Sequence, residues 1–210
     1  MGVQMRYNFL EDLDVKGHLQ ILKCYPNGEQ DIVFDDHNII VSGMGLGLAH
    51  MFSLSGPPTI TDYQIDRFQV GVSGSVAKEA TTTNELAGPL SSITEYGTQA
   101  RILIFSANHA LTLDTYKENT WFGYIPSHKV SRIGPNSVRY TLTLDQDAAN
   151  EIQRDGETVS LNEVGLFMKN PLGDKFSLGE DTSVLVAYRY FSPIAKTTDF
   201  SLVFRWTLSF

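Results

Sequence analysis

The closing run of the chain, Asp199-Phe-Ser-Leu-Val-Phe-Arg-Trp-Thr-Leu-Ser-Phe210, sets the tightest condition on its fold. Phe200, Leu202, Phe204, Trp206, Leu208 and Phe210 fall on one parity, and Ser201, Arg205, Thr207 and Ser209 on the other, broken only by Val203. Side chains alternate across a strand, so this is a half-buried strand. At about 3.3 Å per residue it spans roughly 40 Å, which calls for a long sheet or a second subunit to cover the apolar face. The preceding run, Ser183-Val-Leu-Val-Ala-Tyr-Arg-Tyr-Phe191, is apolar on both parities apart from Arg189. That pattern predicts a strand covered on both sides. Ser192-Pro-Ile-Ala-Lys-Thr-Thr198 joins the two, and together they are expected to form a long antiparallel ribbon.

The rest of the chain follows the same period. Gly17–Tyr25 and Gln30–Phe34 flank Pro26-Asn-Gly-Glu29, and Asn-Gly between apolar runs predicts a hairpin. Ile40, Met44, Leu48, Met51 and Phe52 then recur at helical spacing, predicting one short helix near residues 39–52 with Asn38 or Ser42 as N-cap. Its glycines 43, 45 and 47 are expected to permit close packing on the sheet. Tyr63, Ile65, Phe68, Val70 and Val72 predict a strand with an irregularity near Asp66 and Arg67. From about 71 to 92 the chain is rich in Gly, Ser, Thr and Asn, with Leu86 and Leu90 as its large apolar anchors, which predicts a mobile loop fixed by a neighbour. Arg101–Phe105 and Trp121–Ile125 are expected as strands, the alternation of Val138, Tyr140, Leu142 and Leu144 marks another, and Asp145–Ile152 suggests one helical turn. All eight prolines lie between these runs. The expectation is a single domain over residues 1–210, all-β, an antiparallel β-sandwich of about eight strands with one short helix.

Composition narrows the function. Hydrophobic residues make up 42% of the 210 residues, enough to exclude a disordered chain, and the single cysteine, Cys24, permits no internal disulfide. The first residues lack a basic region followed by an apolar stretch, and no run approaches 18 apolar residues, so neither a signal peptide nor a membrane span is expected. With a net charge of -8 and scattered Lys and Arg, nucleic acid is not an expected partner.

Leu161-Asn-Glu-Val-Gly-Leu-Phe167, then an aromatic-rich strand ending Phe191-Ser-Pro-Ile-Ala-Lys-Thr197, then Arg205-Trp206-Thr207 in the closing strand, resemble the C-terminal pattern of small structural virion proteins of tailed bacteriophages. Asn38–Gly43 and Phe68–Gly74 resemble the N-terminal half of such proteins more loosely. The resemblance implies a non-enzymatic homo-oligomeric component of the tail, baseplate or collar that joins rings or seats fibres. Its partners would be other virion proteins, and it would be assembled in the host cytoplasm without cofactor, metal or small-molecule substrate. Capsid decoration is the alternative, followed by a carbohydrate-binding adhesion module or a glycan hydrolase. The structural or interface candidates are Glu163, Gly165, Phe167, Pro193, Lys196, Arg205, Trp206 and Phe210.

No coherent catalytic set accompanies this pattern. Ser75-Val-Ala-Lys78 has the spacing of a serine activated by a lysine one helical turn away, and Lys196-Thr-Thr198 faintly echoes a partner strand of such enzymes. Ser75 nevertheless sits in a polar loop without a following amphipathic helix. Glycines 43, 45 and 47 miss the dinucleotide spacing at Leu48. Asp12, Asp14, Asp35, Asp36 and His37 could hold a hard cation, but the calcium-loop pattern fails at Lys16 and Lys23. The histidines at 18, 37, 50, 109 and 128 show no zinc spacing in sequence. Glu163, expected to point outward from its strand, reads as structural rather than as a general base, so Glu163→Gln and Ser75→Ala are expected to leave folding nearly intact.

Overall fold

The computed structural model of the chain describes residues 15–53, 60–75, 85–94, 121–169 and 183–210. The predicted hairpin is present: β1 (Lys16–Cys24) and β2 (Gln30–Ile40) pair antiparallel around a turn in which Gly28 has φ 89°. Asn27 tightens it, its Oδ1 accepting from the Glu29 N–H at 3.0 Å. Helix α1 (Ser42–Phe52) follows, then β3 (Ile65–Gly71), whose register shifts between Ile65 and Arg67 as the sequence suggests. After them come β4 (Gly123–Tyr124), β5 (Val130–Gly134), β6 (Ser137–Leu144), the small hairpin β7 (Gln153–Arg154) and β8 (Glu157–Thr158), β9 (Leu161–Met168), β10 (Val184–Ile194) and β11 (Ser201–Ser209).

Nine of these strands form one antiparallel sheet in the order β4-β3-β9-β10-β2-β1-β11-β6-β5. The expected ribbon of β10 with β11 is not formed. The β1–β2 hairpin lies between them, β11 pairing with β1 and β6, and β10 pairing with β9 and with the last two residues of β2, Ile39 and Ile40. Non-neighbouring strands nevertheless touch across the core. Phe191 of β10 lies 6.3 Å from Phe204 of β11 between ring centroids. The sheet therefore curls until its inner faces meet, giving the sandwich-like all-β fold that the patterning predicts, with one short α-helix among the described residues. Among the described residues its edges are the two-residue β4 and the five-residue β5, and short edges limit edge-to-edge pairing with other chains.

Burial follows the parity read from the sequence. Leu202, Phe204, Trp206 and Leu208 are buried against Leu19, Ile21, Tyr140 and Leu142, whereas Phe210 is 46% exposed. In β10 both faces are covered, as expected: Val186 and Ala187 join the central core, while Leu185 and Tyr188 form a second cluster with Val41, Leu86 and Phe167. Gly43 of α1 explains how the helix reaches this strand, because a Cβ there would lie 2.0 Å from the Leu185 carbonyl oxygen.

Several local expectations are corrected. The helix is preceded by Val41 as N-cap with no side-chain cap, because the Asn38 carboxamide instead accepts from the Trp206 indole and occupies the space beside Gly17. Trp121–Ile125 contributes only the edge strand β4. Asp145–Ile152 is not helical: Ala149 and Glu151 have positive φ and the segment is a series of turns. Pro193 lies inside β10, where the β9 pairing skips between Tyr190 and Ile194, so the missing N–H costs no ladder bond. Leu86 and Leu90 are both fully buried, and the described ends of the 71–92 segment are held by this chain's own β9 and β3. Residues 76–84, Arg101–Phe105, Asp12, Asp14, Lys78 and His109 lie outside the described residues.

Candidate functional site

Two of the three charged residues of the C-terminal pattern, Glu163 and Lys196, are buried, and each holds a loop. Glu163 shares the outer parity of β9 with Gly165 and Phe167, but it does not face solvent, because the 85–90 segment lies over it. Its Oε1 accepts from the Gly88 N–H at 2.7 Å and the Ser73 N–H at 3.3 Å, and its Oε2 accepts from the Ala87 N–H at 3.0 Å and the Tyr188 hydroxyl at 3.1 Å. Four donors on one buried carboxylate make it the clamp that fixes both described ends of that loop. Burial, and then the charge of Glu163, push the Tyr188 phenol well above its ordinary range. Gly165 is required beneath the clamp, since a Cβ there would lie 2.6 Å from Leu185 Cδ1 and 2.7 Å from Leu86 Cδ1. Phe167 stacks edge-on against Phe122 at 5.1 Å.

Lys196 performs the corresponding task for the 145–152 turns. It is 3% exposed, and its Nζ donates to the Thr197 carbonyl at 2.8 Å, Asn150 Oδ1 at 2.9 Å and the Gln146 carbonyl at 3.1 Å. Burial pushes its ammonium down to about 8, against the pull of Asp147, Asp145 and Asp199. The ordinary lysine value is 10.5, so between these values the unfolded chain holds more protons than the folded one, and stability rises with pH. The melting temperature is expected to climb from about pH 8 to about pH 10 in wild type and to stay level in Lys196→Met. Above about pH 10 the buried tyrosines act in the opposite sense, because Tyr140 is pushed up to about 12 by burial and its contribution is lost there. A wild-type melting temperature that falls between pH 8 and 10 would show that the ammonium is not desolvated by folding.

Trp206 is fully buried and its Nε1–H donates to Asn38 Oδ1 at 2.8 Å. Of the eight residues the sequence singles out, Glu163, Gly165, Phe167, Lys196 and Trp206 are thus enclosed by their own chain. Pro193 is exposed, Arg205 half-buried on the outer face of β11, and Phe210 exposed at the lip of a cavity.

That cavity is a concave feature lined by described residues of several elements. About 780 Å³ in volume, it opens where α1 meets the strand ends, with Met44, Leu48 and Met51 on one wall and Ile65, Val130, Met168 and Phe210 among the others. Asp66 is the only carboxylate among the described residues that line it, and its Oδ1 binds Arg67 Nε at 3.0 Å. Of its lining residues Met51 is 37% exposed, and Phe52, next to it in α1, is 71% exposed. Methionine-rich apolar walls adapt to the shape of what they contact. The sequence pattern gave no signal for this groove, because its walls come from six separate segments.

Comparison with family models, curated proteins and solved structures finds no match to this chain. The site therefore rests on its own geometry. Among the described residues no three of His, Cys, Asp and Glu gather as metal ligands, although His18 and His37, 19 positions apart in sequence, face each other at 6.0 Å across β1 and β2. Ser75 is exposed, and its supposed partner Lys78 lies outside the described residues. No described helix is long and apolar enough to cross a membrane.

Proposed function

We propose that the chain is a non-enzymatic structural component of a tailed-phage virion, working in the tail, baseplate or collar, where it joins rings or seats fibres. The observation that carries this reading is the groove beside α1: a concave surface walled mainly by Met, Leu, Ile, Tyr and Phe, with the one carboxylate among its described residues already bound to an arginine. Protein surfaces of this kind are covered by other proteins, whereas glycan hydrolysis asks for two free carboxylates in one cleft. The C-terminal pattern supports the same class, since Glu163 and Lys196 rigidify loops at two separate places on the sandwich, as a part that must present fixed surfaces requires.

The test is to fit the chain into a density map of whole particles. The expected result is several copies at a ring junction or fibre seat, with the α1 groove covered by a neighbouring subunit. Copies on the outer capsid surface would establish decoration instead. A particle that lacks the chain, together with release of reducing ends from cell-wall or capsular glycan by purified protein, would overturn the assembly reading.

A further inference from the structure

The outer face of β6, β11, β1 and β2 carries a polar grid with a hollow in it. Register places Arg139, Thr207, His18 and His37 in one row across the four strands, and Thr141, Arg205, Gln20 and Asp35 in the next. His18, Gln20, Arg139, Arg205 and Thr207 line a depression of about 160 Å³. At about 30 Å³ per water, that is room for a group of a few heavy atoms.

The two guanidiniums are under-used. Arg205 Nη1 reaches only Gln20 Oε1 at 3.3 Å, and Arg139 Nε only Thr207 Oγ1 at 3.5 Å, both at the weak end of hydrogen bonding. Neither has a carboxylate partner among the described residues, in a protein whose net charge is -8. Asp35, the acid in the same row as Arg205 and Gln20, has both oxygens engaged, Oδ1 with His18 Nε2 at 2.6 Å and Oδ2 by Gln20 Nε2 at 3.0 Å. The overall negative charge acts at long range and is screened beyond about 10 Å in ordinary salt, whereas the forks act at contact.

We infer that this hollow is a binding site for a compact oxyanion, the phosphate or carboxylate group of a ligand, taken between the Arg139 and Arg205 guanidiniums with the Thr207 hydroxyl and the His18 ring at its margin. Guanidinium forks match the planar, paired oxygens of such groups, and two forks on adjacent strands supply more donors than one anion needs. This site is independent of the α1 groove and of the assembly reading.

The full chain is titrated with inorganic phosphate and, separately, with glucuronate, at constant ionic strength made up with chloride, following backbone amide shifts and melting temperature. The expected result is saturable shifts confined to β1, β6 and β11 with at least one of the two probes. Arg139→Ala and Arg205→Ala should each weaken binding about tenfold or more, as the loss of a charge-assisted hydrogen bond implies. Arg205→Lys should recover only part of the loss, because it keeps the charge without the fork. Arg132→Ala, at an exposed guanidinium bound to the Gly134 and Pro135 carbonyls, should leave binding unchanged. Phosphate binding without glucuronate binding assigns a phosphoryl ligand, and the reverse a carboxylate. Saturation by neither probe, or saturation that survives the Arg139→Ala/Arg205→Ala double variant with its melting temperature intact, would overturn the site.

Discussion

Replacing Trp206 by alanine is expected to remove about 5 kcal/mol of stability, a large share of what a domain of this size possesses. The side chain is fully buried between β1 and β6, opposite Leu19 and Tyr140, and truncating a buried Trp typically costs about 3–5 kcal/mol in lost contacts and cavity. A second cost comes from Asn38. Its Oδ1 would lose the indole donor while its buried Nδ2 already lacks a partner, so the whole carboxamide would be left unsatisfied. Urea unfolding of the purified variant measures this directly, and Trp206→Phe, which keeps most of the volume, should lose only about 1–3 kcal/mol. A Trp206→Ala protein with the wild-type unfolding midpoint would mean that the β11 register is wrong.

Glu163→Gln is expected to destabilise the protein by about 2–4 kcal/mol, reversing the near-neutral effect that the sequence pattern suggests. An outward carboxylate on an alternating strand would tolerate the change. Here each oxygen accepts from two donors, so wherever the glutamine nitrogen is placed it faces a backbone N–H, that of Gly88 on one side or Ala87 on the other. Those amides cannot rotate away as a hydroxyl can. Hydrogen exchange provides the specific readout: Ala87 and Gly88 should lose protection in the variant well before β1 and β11 do. Uniform loss of protection over the whole sheet, or none at these two amides, would show that Glu163 is not the clamp.

The same residues show where sequence ends as a guide. Period-two alternation reports which side chains are covered, and so the chain alone determined the all-β class, the Asn27-Gly28 hairpin, the half-buried β6 and β11 and the doubly covered β10. The Asp155-Gly156 turn of the small β7–β8 hairpin, with φ 53° and 85°, carries an equally legible local signal. Alternation does not say which strand lies alongside which, because pairing is decided by burial summed over distant segments. Only the tertiary structure therefore separated β10 from β11 by inserting the β1–β2 hairpin, and turned Asn38 from a helix cap into the acceptor for Trp206. Folding the 85–90 segment over β9 likewise enclosed Glu163, making a residue of outward parity a buried clamp. The row of Arg139, Thr207 and His18 belongs to the same class of fact: three residues from positions 139, 207 and 18 become neighbours because β11 lies between β6 and β1, an order that no local pattern encodes.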